Sequence, residues 1–319
     1  MIPEGHEVAR EQFVLNGNSY FSGQKSTTGA IDMKEENNVL FFTCGDVRIS
    51  FNKRNGELNG YRYQDKMLLG HAPQPQFWRA PADNDFGNLM GTLCNVWRTA
   101  GQNKEFKGMN VERKDGAVTL TSIYYLRDVA SDYTVKYTVY ADGRVEVNGS
   151  WKAGNIALPE IPRFGMQMTL AQEFDQFSWY GRGPWENYSD RNTASFIGKY
   201  TSTVDEQYVA YIRPQENGNK TDVRWLTLTN KEGFGLRIDG LQPLSVSALR
   251  NYPEDFDAGL TKSQRHINDI NPRKAVVLHV DLAQRGVGGD NSWGMYPHEP
   301  YLLKAKEYTY GYVISPVVK

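Results

Sequence analysis

Thirteen consecutive residues, Trp179-Tyr180-Gly181-Arg182-Gly183-Pro184-Trp185-Glu186-Asn187-Tyr188-Ser189-Asp190-Arg191, hold four aromatic rings, two arginines and two carboxylates. Flat rings stack on the C–H faces of a pyranose and charged forks bond its hydroxyls, so this composition suits a sugar site. It equally suits a packed corner, with the rings as core anchors and the charges paired to each other. Both readings stay open at this point.

Three further blocks carry candidate chemistry. In Phe77-Trp78-Arg79-Ala80-Pro81-Ala82-Asp83-Asn84-Asp85-Phe86-Gly87-Asn88, the acids resemble the opening of a calcium loop. Counted from Asp83, however, the sixth position is Asn88 rather than Gly, and the twelfth is Cys94 rather than a closing Glu. Acidic side chains capping backbone N–H groups in a turn are the simpler reading. Residues 88–96 follow as a candidate mobile loop. Pro214-Gln215-Glu216-Asn217-Gly218-Asn219 is a turn rich in amides, which bond either sugar hydroxyls or backbone groups. In Gly286-Val287-Gly288-Gly289-Asp290-Asn291-Ser292-Trp293-Gly294 the first glycines let another surface approach the backbone closely. Trp293 is there either a stacking platform or a plug under the loop. The block lacks both the spacing and the lysine of a phosphate loop.

Hydrolysis of a glycosidic bond needs two carboxylates, about 5–5.5 Å apart for retention and about 6.5–9.5 Å for inversion. Asp83, Asp85, Glu186, Asp190, Glu216 and Asp290 all lie in loop-like stretches, and none has a context that marks an acid or a nucleophile. The histidines His6, His71, His266, His279 and His298 form no metal pair at helical or strand spacing. His279 sits in an apolar run and reads as a satisfied core residue. No Ser/His/Asp or Cys/His arrangement follows from spacing.

The elements that must position these blocks are strands. Val47, Ile49 and Phe51 alternate with polar residues before an Asn55-Gly56 turn. Tyr133, Val135, Tyr137 and Val139 alternate likewise, Asp142-Gly143 turns the chain, and Val145 and Val147 return it. Further strands are expected at 117–125, 164–170, 225–229, 234–239, 275–282 and 307–315, with at most a helical turn near 204–208. Strands at short intervals separated by Gly, Asn and Asp indicate an all-β sandwich. Residues 1–35 break this pattern and read as a terminal strand at 8–15 followed by a linker.

The composition agrees. The 319 residues include 19 Tyr, 14 Phe, 7 Trp and 30 Gly, the palette of sheets joined by tight turns. A net charge of −1, from 36 basic and 37 acidic residues, gives no basic face for nucleic acid. No apolar run approaches the ~20 residues of a membrane helix. The opening Met-Ile-Pro-Glu-Gly-His-Glu is no signal peptide and reads as a cut from something longer. Cys44 and Cys94 read as small buried apolar residues.

Together the blocks resemble the C-terminal domain of the large bacterial β-galactosidases of glycoside hydrolase family 2. The matching segments are Arg79–Asp85, Gly181–Arg191, Pro214–Gly218 and Gly288–Trp293, in the family's order and at similar separations. The resemblance spans essentially the whole chain. It implies an all-β fold, a large antiparallel two-sheet supersandwich of galactose mutarotase-like type, over residues 38–319. Residues 1–15 would then be the last strand of a preceding immunoglobulin-like domain, and 16–37 a linker. The catalytic glutamates would lie in a TIM barrel outside this chain, together with the parent's magnesium and sodium sites, so no cofactor is expected here. Trp293 would stack on a β-galactoside, with Asp290 and Asn291 beside it, and Asp83, Asp85, Phe86 and Asn88 would belong to an active-site loop. The expected partners are that substrate, the other domains of the same polypeptide and further copies of the parent. The compartment stays open between cytoplasm and periplasm. Two rivals remain: a free-standing mutarotase-like epimerase, for which His266 or His279 with Glu160 or Glu186 are the candidate pairs, and a non-catalytic carbohydrate-binding module.

Overall fold

The computed structural model describes residues 3–13, 15, 20–21, 29–260 and 265–318. Its architecture is two antiparallel sheets joined by turns, as the alternation indicates. The smaller is a meander of β1 (Asp32–Glu36), β2 (Val39–Cys44), β3 (Val47–Asn52), β4 (Glu57–Tyr63) and β5 (Lys66–Met67). The larger holds β6 (His71–Gln76), β7 (Lys104–Lys114), β8 (Ala117–Leu126), β9 (Ser131–Val139), β10 (Val145–Lys152) and β11 (Arg163–Ala171). It continues with β12 (Gln176–Gly183), β13 (Phe196–Thr203), β14 (Lys220–Thr229), β15 (Gly235–Leu249), β16 (Ala275–Gln284) and β17 (Tyr308–Val317).

The large sheet forks at β15. This 15-residue strand is much longer than the segment 234–239 expected from alternation. Its first part pairs with β17, and its last five residues pair with β16. One arm then runs β17-β10-β9-β8-β7, the other β16-β11-β6. β6 contains two prolines and pairs only with β11, the edge position where a missing N–H is tolerated.

Where alternation is regular, the expected strands form. In β9, Ser131, Tyr133, Val135, Tyr137 and Val139 face inward and the residues between them face out. Gly56 and Gly143 adopt positive φ in the two turns. Other strands were missed: β7 and β13 lack regular alternation and form by backbone pairing, and β12 alternates in burial, but half of its inward positions are glycine.

Two expectations near the start change. Asp32–Glu36 falls inside the expected linker, yet it pairs along its whole length with β2. Its exposed Asp-Met-Lys-Glu-Glu sequence carries no core signal, because an edge strand needs only backbone partners. Residues 8–13 and 15, expected as a terminal strand, have no strand pairing among the described residues. Gln12 instead reaches the backbone of Ile197, donating to its carbonyl and accepting from its N–H. Residue 14 and linker residues 16–19 and 22–28 lie outside the described residues.

The chain between β6 and β7 crosses one end of the large sheet. It forms α1 (Asp83–Gly87) and α2 (Met90–Leu93). Aromatic rings pin both ends of this segment. Phe77, before it, contacts Tyr133 and Phe164 at centroid distances of 5.7 and 5.9 Å. Trp97, after it, contacts Phe77 at 5.6 Å and Trp151 at 5.4 Å. Phe77→Ala is therefore expected to cost about 3–5 kcal/mol in urea unfolding. The exposed Phe41→Ala on β2 should change stability by no more than about 0.5 kcal/mol.

Candidate functional site

Asp85 caps α1: its Oδ2 accepts from the Ala82 N–H at 2.7 Å. The same carboxylate accepts from Arg79 at 2.5 and 3.2 Å and from Arg285 at 2.8 Å. Arg285 also donates to Glu160 at 2.7 Å, and Arg79 donates to the Gly286 carbonyl at 3.2 Å. Arg79, Asp85 and Arg285 are all fully buried. Two cations face two carboxylates, so the clamp is electrically balanced. It ties α1 to the end of β16 and to the chain leading into β11.

An outer layer rests on this clamp. The Gly286–Gly294 loop packs backbone to backbone on the end of α1. A Cβ on Gly87 would lie 2.5 Å from the Trp293 carbonyl oxygen and 2.6 Å from the Gly294 Cα. Gly294 has φ +105°, which the close approach exploits. Trp293 donates its N–H to Asn291 Oδ1 at 2.9 Å, and Asn84 donates to the Asn291 carbonyl at 3.3 Å. The Trp293 side chain is 82% exposed, so the plug reading fails. Asp290 pairs with His298 at 2.7 Å.

The other two blocks join the same end. Arg213 and Gln215 donate to Asp83 at 3.4 and 3.2 Å, and the Arg213 guanidinium lies 3.5 Å from the centre of the Phe86 ring. Gly288 donates its N–H to Asp190 at 2.8 Å. Glu186 accepts from Arg191 and from the Gly218 N–H, both at 2.7 Å, and from the Tyr211 hydroxyl. All four sequence blocks thus converge. Trp293, Asp290, Asn291 and Asp83 lie on the exposed rim, whereas Asp85 and Asn88 face inward.

Residues 88–96, expected as a mobile loop, form α2 and the turn after it. Met90 and Cys94 are buried anchors, and Leu89, Leu93 and Val96 are exposed. In the opening aromatic block Trp179 and Tyr188 are buried while Trp185 is exposed. The packed-corner reading holds in part: β12 ends at Gly183 and Arg191 pairs with Glu186 inside the block, whereas Arg182 pairs with the distant Asp222 and Asp190 accepts from the Gly288 N–H.

A second polar cluster was missed. On β11, Arg163 donates to Glu216 at 2.9 Å, contacts His279 Nδ1 at 2.8 Å and sets its Nε 3.2 Å from Asp281. All four are buried. Burial pushes the Asp281 carboxyl up to about 8; nearby Arg163 opposes this and Glu216 adds to it. Burial raises Glu216 as well, with Arg163 opposing. Burial, then the Arg163 charge, holds His279 well below its ordinary value, so it is neutral. The available signal was His279 and Asp281, two residues apart and hence on one face of a strand otherwise buried and apolar.

All six loop carboxylates are engaged in ion pairs or hydrogen bonds. Among the described residues no hydrogen bond or ion pair joins a candidate epimerase histidine to a candidate glutamate. Glu160 pairs with Arg285, Glu186 with Arg191, and His279 with Arg163, while His266 is exposed.

Two measurements test these networks. Asp85→Ala leaves two buried guanidinium groups short of a partner and should destabilise the chain by about 3–5 kcal/mol in urea unfolding. Asp281 has a folded pKa near 8 against an ordinary 3.8. Its protonated form therefore contributes stability fully below about pH 4, and that contribution is lost as pH rises through about 8. Asp281→Asn should flatten the fall in urea midpoint between pH 5 and 9; equal slopes would refute the assignment.

Comparison with known proteins gives the chain its family. The family model described as β-galactosidase small chain matches residues 43–314. A β-galactosidase of Priestia megaterium is 36% identical over 98% of this chain and 30% of its own length. One from Halalkalibacterium halodurans is 30% identical over 95% of this chain and 30% of its own length. The chain thus spans less than a third of the relatives it matches. Among solved structures, YeaD of Salmonella typhimurium, named as a mutarotase, covers 91% of this chain and 94% of its own at 10% identity and a TM-score of 0.43. The α-galactosidase AgaB of Geobacillus stearothermophilus covers 90% of this chain and 41% of its own at 11% identity and the same TM-score. By the family match and the identity of its relatives, the chain belongs to the β-galactosidase small-chain family.

Proposed function

We propose that this chain is the C-terminal domain of a glycoside hydrolase family 2 β-galactosidase, which hydrolyses terminal non-reducing β-D-galactosides with retention. The observation that carries the reading is the rim: an exposed tryptophan whose backbone is held by Gly87 and Asn291, at the end where all four family blocks meet. In the whole enzyme two barrel glutamates, about 5–5.5 Å apart, act as nucleophile and acid/base through a galactosyl-enzyme intermediate. A barrel takes roughly 250 residues, which the rest of a relative's length accommodates. Magnesium and sodium belong to that barrel in this proposal.

The domain's own part is affinity. Trp293 stacks on the sugar, and Asp290 and Asn291 support it. The engagement of the six candidate carboxylates favours a supporting role over catalysis. Leu89, Leu93, Met295 and Tyr296 are exposed on segments near Trp293, a face that suits docking against the other domains of the same polypeptide. Assembly of the parent into a homo-oligomer is part of the same proposal. An epimerase has less support, because its candidate His and Glu residues are engaged elsewhere.

Stacking of a ring on an aromatic side chain is worth about 1–3 kcal/mol. Trp293→Ala in the full-length enzyme should therefore raise KM for lactose about 5–100-fold and lower kcat much less. Gly87→Ala should raise KM in the same direction by displacing the loop. Unchanged KM values for lactose and nitrophenyl galactoside in Trp293→Ala would sink the role.

A further inference from the structure

Behind the rim lies a cleft of about 230 Å³ lined by Tyr188, Arg191, Tyr211, Gln215, Glu216 and Val287, among others. It is below the ~300 Å³ at which sites for drug-sized ligands begin, so its occupant is small. Residues from three of the four blocks reach it, and Ala82 from the remaining block completes its wall.

One group in the cleft lacks a partner. Tyr188 is 2% exposed, and its hydroxyl is buried with no hydrogen bond. Glu216, Glu186, Tyr211 and Arg191 are the groups that bear electrostatically on that hydroxyl, and three of them line this cleft. A buried hydroxyl left unpaired is costly, and a ligand hydroxyl placed against it removes that cost. Glu216 accepts from Arg163 and Gln284 through Oε1, and Oε2 accepts no hydrogen bond among the described residues.

The lining also selects the chemical class. Arg191 is paired with Glu186 and Glu216 with Arg163, so the charges cancel and an ionic ligand gains little. The Tyr211 ring and the Val287 side chain supply apolar surface. Apolar wall with a few convergent hydroxyl-bonding groups suits a neutral polyhydroxylated ring.

We propose that this cleft is a monosaccharide site separate from the Trp293 rim, in which Tyr188 Oη and the Glu216 carboxylate bond ring hydroxyls. Tyr211 and Val287 cover the apolar face of the sugar. The site does not depend on the β-galactosidase role of the rim.

The test is titration of the 319-residue chain with D-galactose, D-glucose and glycerol, followed by calorimetry and saturation-transfer NMR. Saturable binding of at least one hexose is expected. Tyr188→Phe, which keeps the ring, and Val287→Trp, which fills the cleft, should each weaken it at least tenfold. Trp293→Ala should leave it unchanged. Thermal unfolding of each variant checks the fold, and Val287→Trp decides the matter if Tyr188→Phe does not fold. Absence of saturable hexose binding overturns the proposal. So does binding that Trp293→Ala abolishes and the cleft variants retain, and so does glycerol binding as tight as that of the hexoses.

Discussion

Two buried guanidinium groups need a carboxylate, and Asp85 serves both. Taking charges out of water costs several kcal/mol per ion, so a half-complete version of this clamp would be worse than an apolar core. The complete version meets that cost with short hydrogen bonds and with a second acid, Glu160, on Arg285. Its consequence is geometric. Arg79 precedes α1, and Arg285 follows β16 immediately before the glycine-rich loop. The two segments that carry the rim are therefore fixed relative to each other below the surface. The aromatic contacts of Phe77 and Trp97 fix the same segment from the core side.

Above the clamp, the absence of side chains does the positioning. Gly87 and Gly294 allow two backbones to approach more closely than any Cβ would permit. The loop is thereby seated without covering its own tryptophan. The indole is left 82% exposed on a firmly seated backbone.

The Arg163 cluster has a different character. It joins β11 and β16 to the Glu216 turn, is buried, and shares one cation between two acids and a neutral histidine. Burial, opposed by Arg163 and reinforced by Glu216, holds the Asp281 carboxyl protonated near neutral pH. The cluster's effect is on how the β11–β16 arm is held together, and through Glu216 it reaches the floor of the cleft beside Tyr188.

Much of this protein was legible in its sequence. Alternation located β3, β9 and β10, turn glycines located their hairpins, and four short blocks marked the family. Cys44, Cys94 and His279 read correctly as buried. For Trp293 the residues alone allow a platform or a plug, the family resemblance selects the platform, and the structure leaves the ring exposed. These properties are local: period, turn chemistry and block composition depend on residues a few positions apart. Tertiary structure alone decided the rest. Arg285 and Asp85 are 200 positions apart, and nothing in either neighbourhood names the other as a partner. The fork at β15, the edge pairing of Asp32–Glu36 and the convergence of the four blocks likewise depend on how distant strands cross. Ion pairs and backbone ladders leave no periodic trace in sequence, because a charge or an N–H serves any partner that folding brings within reach.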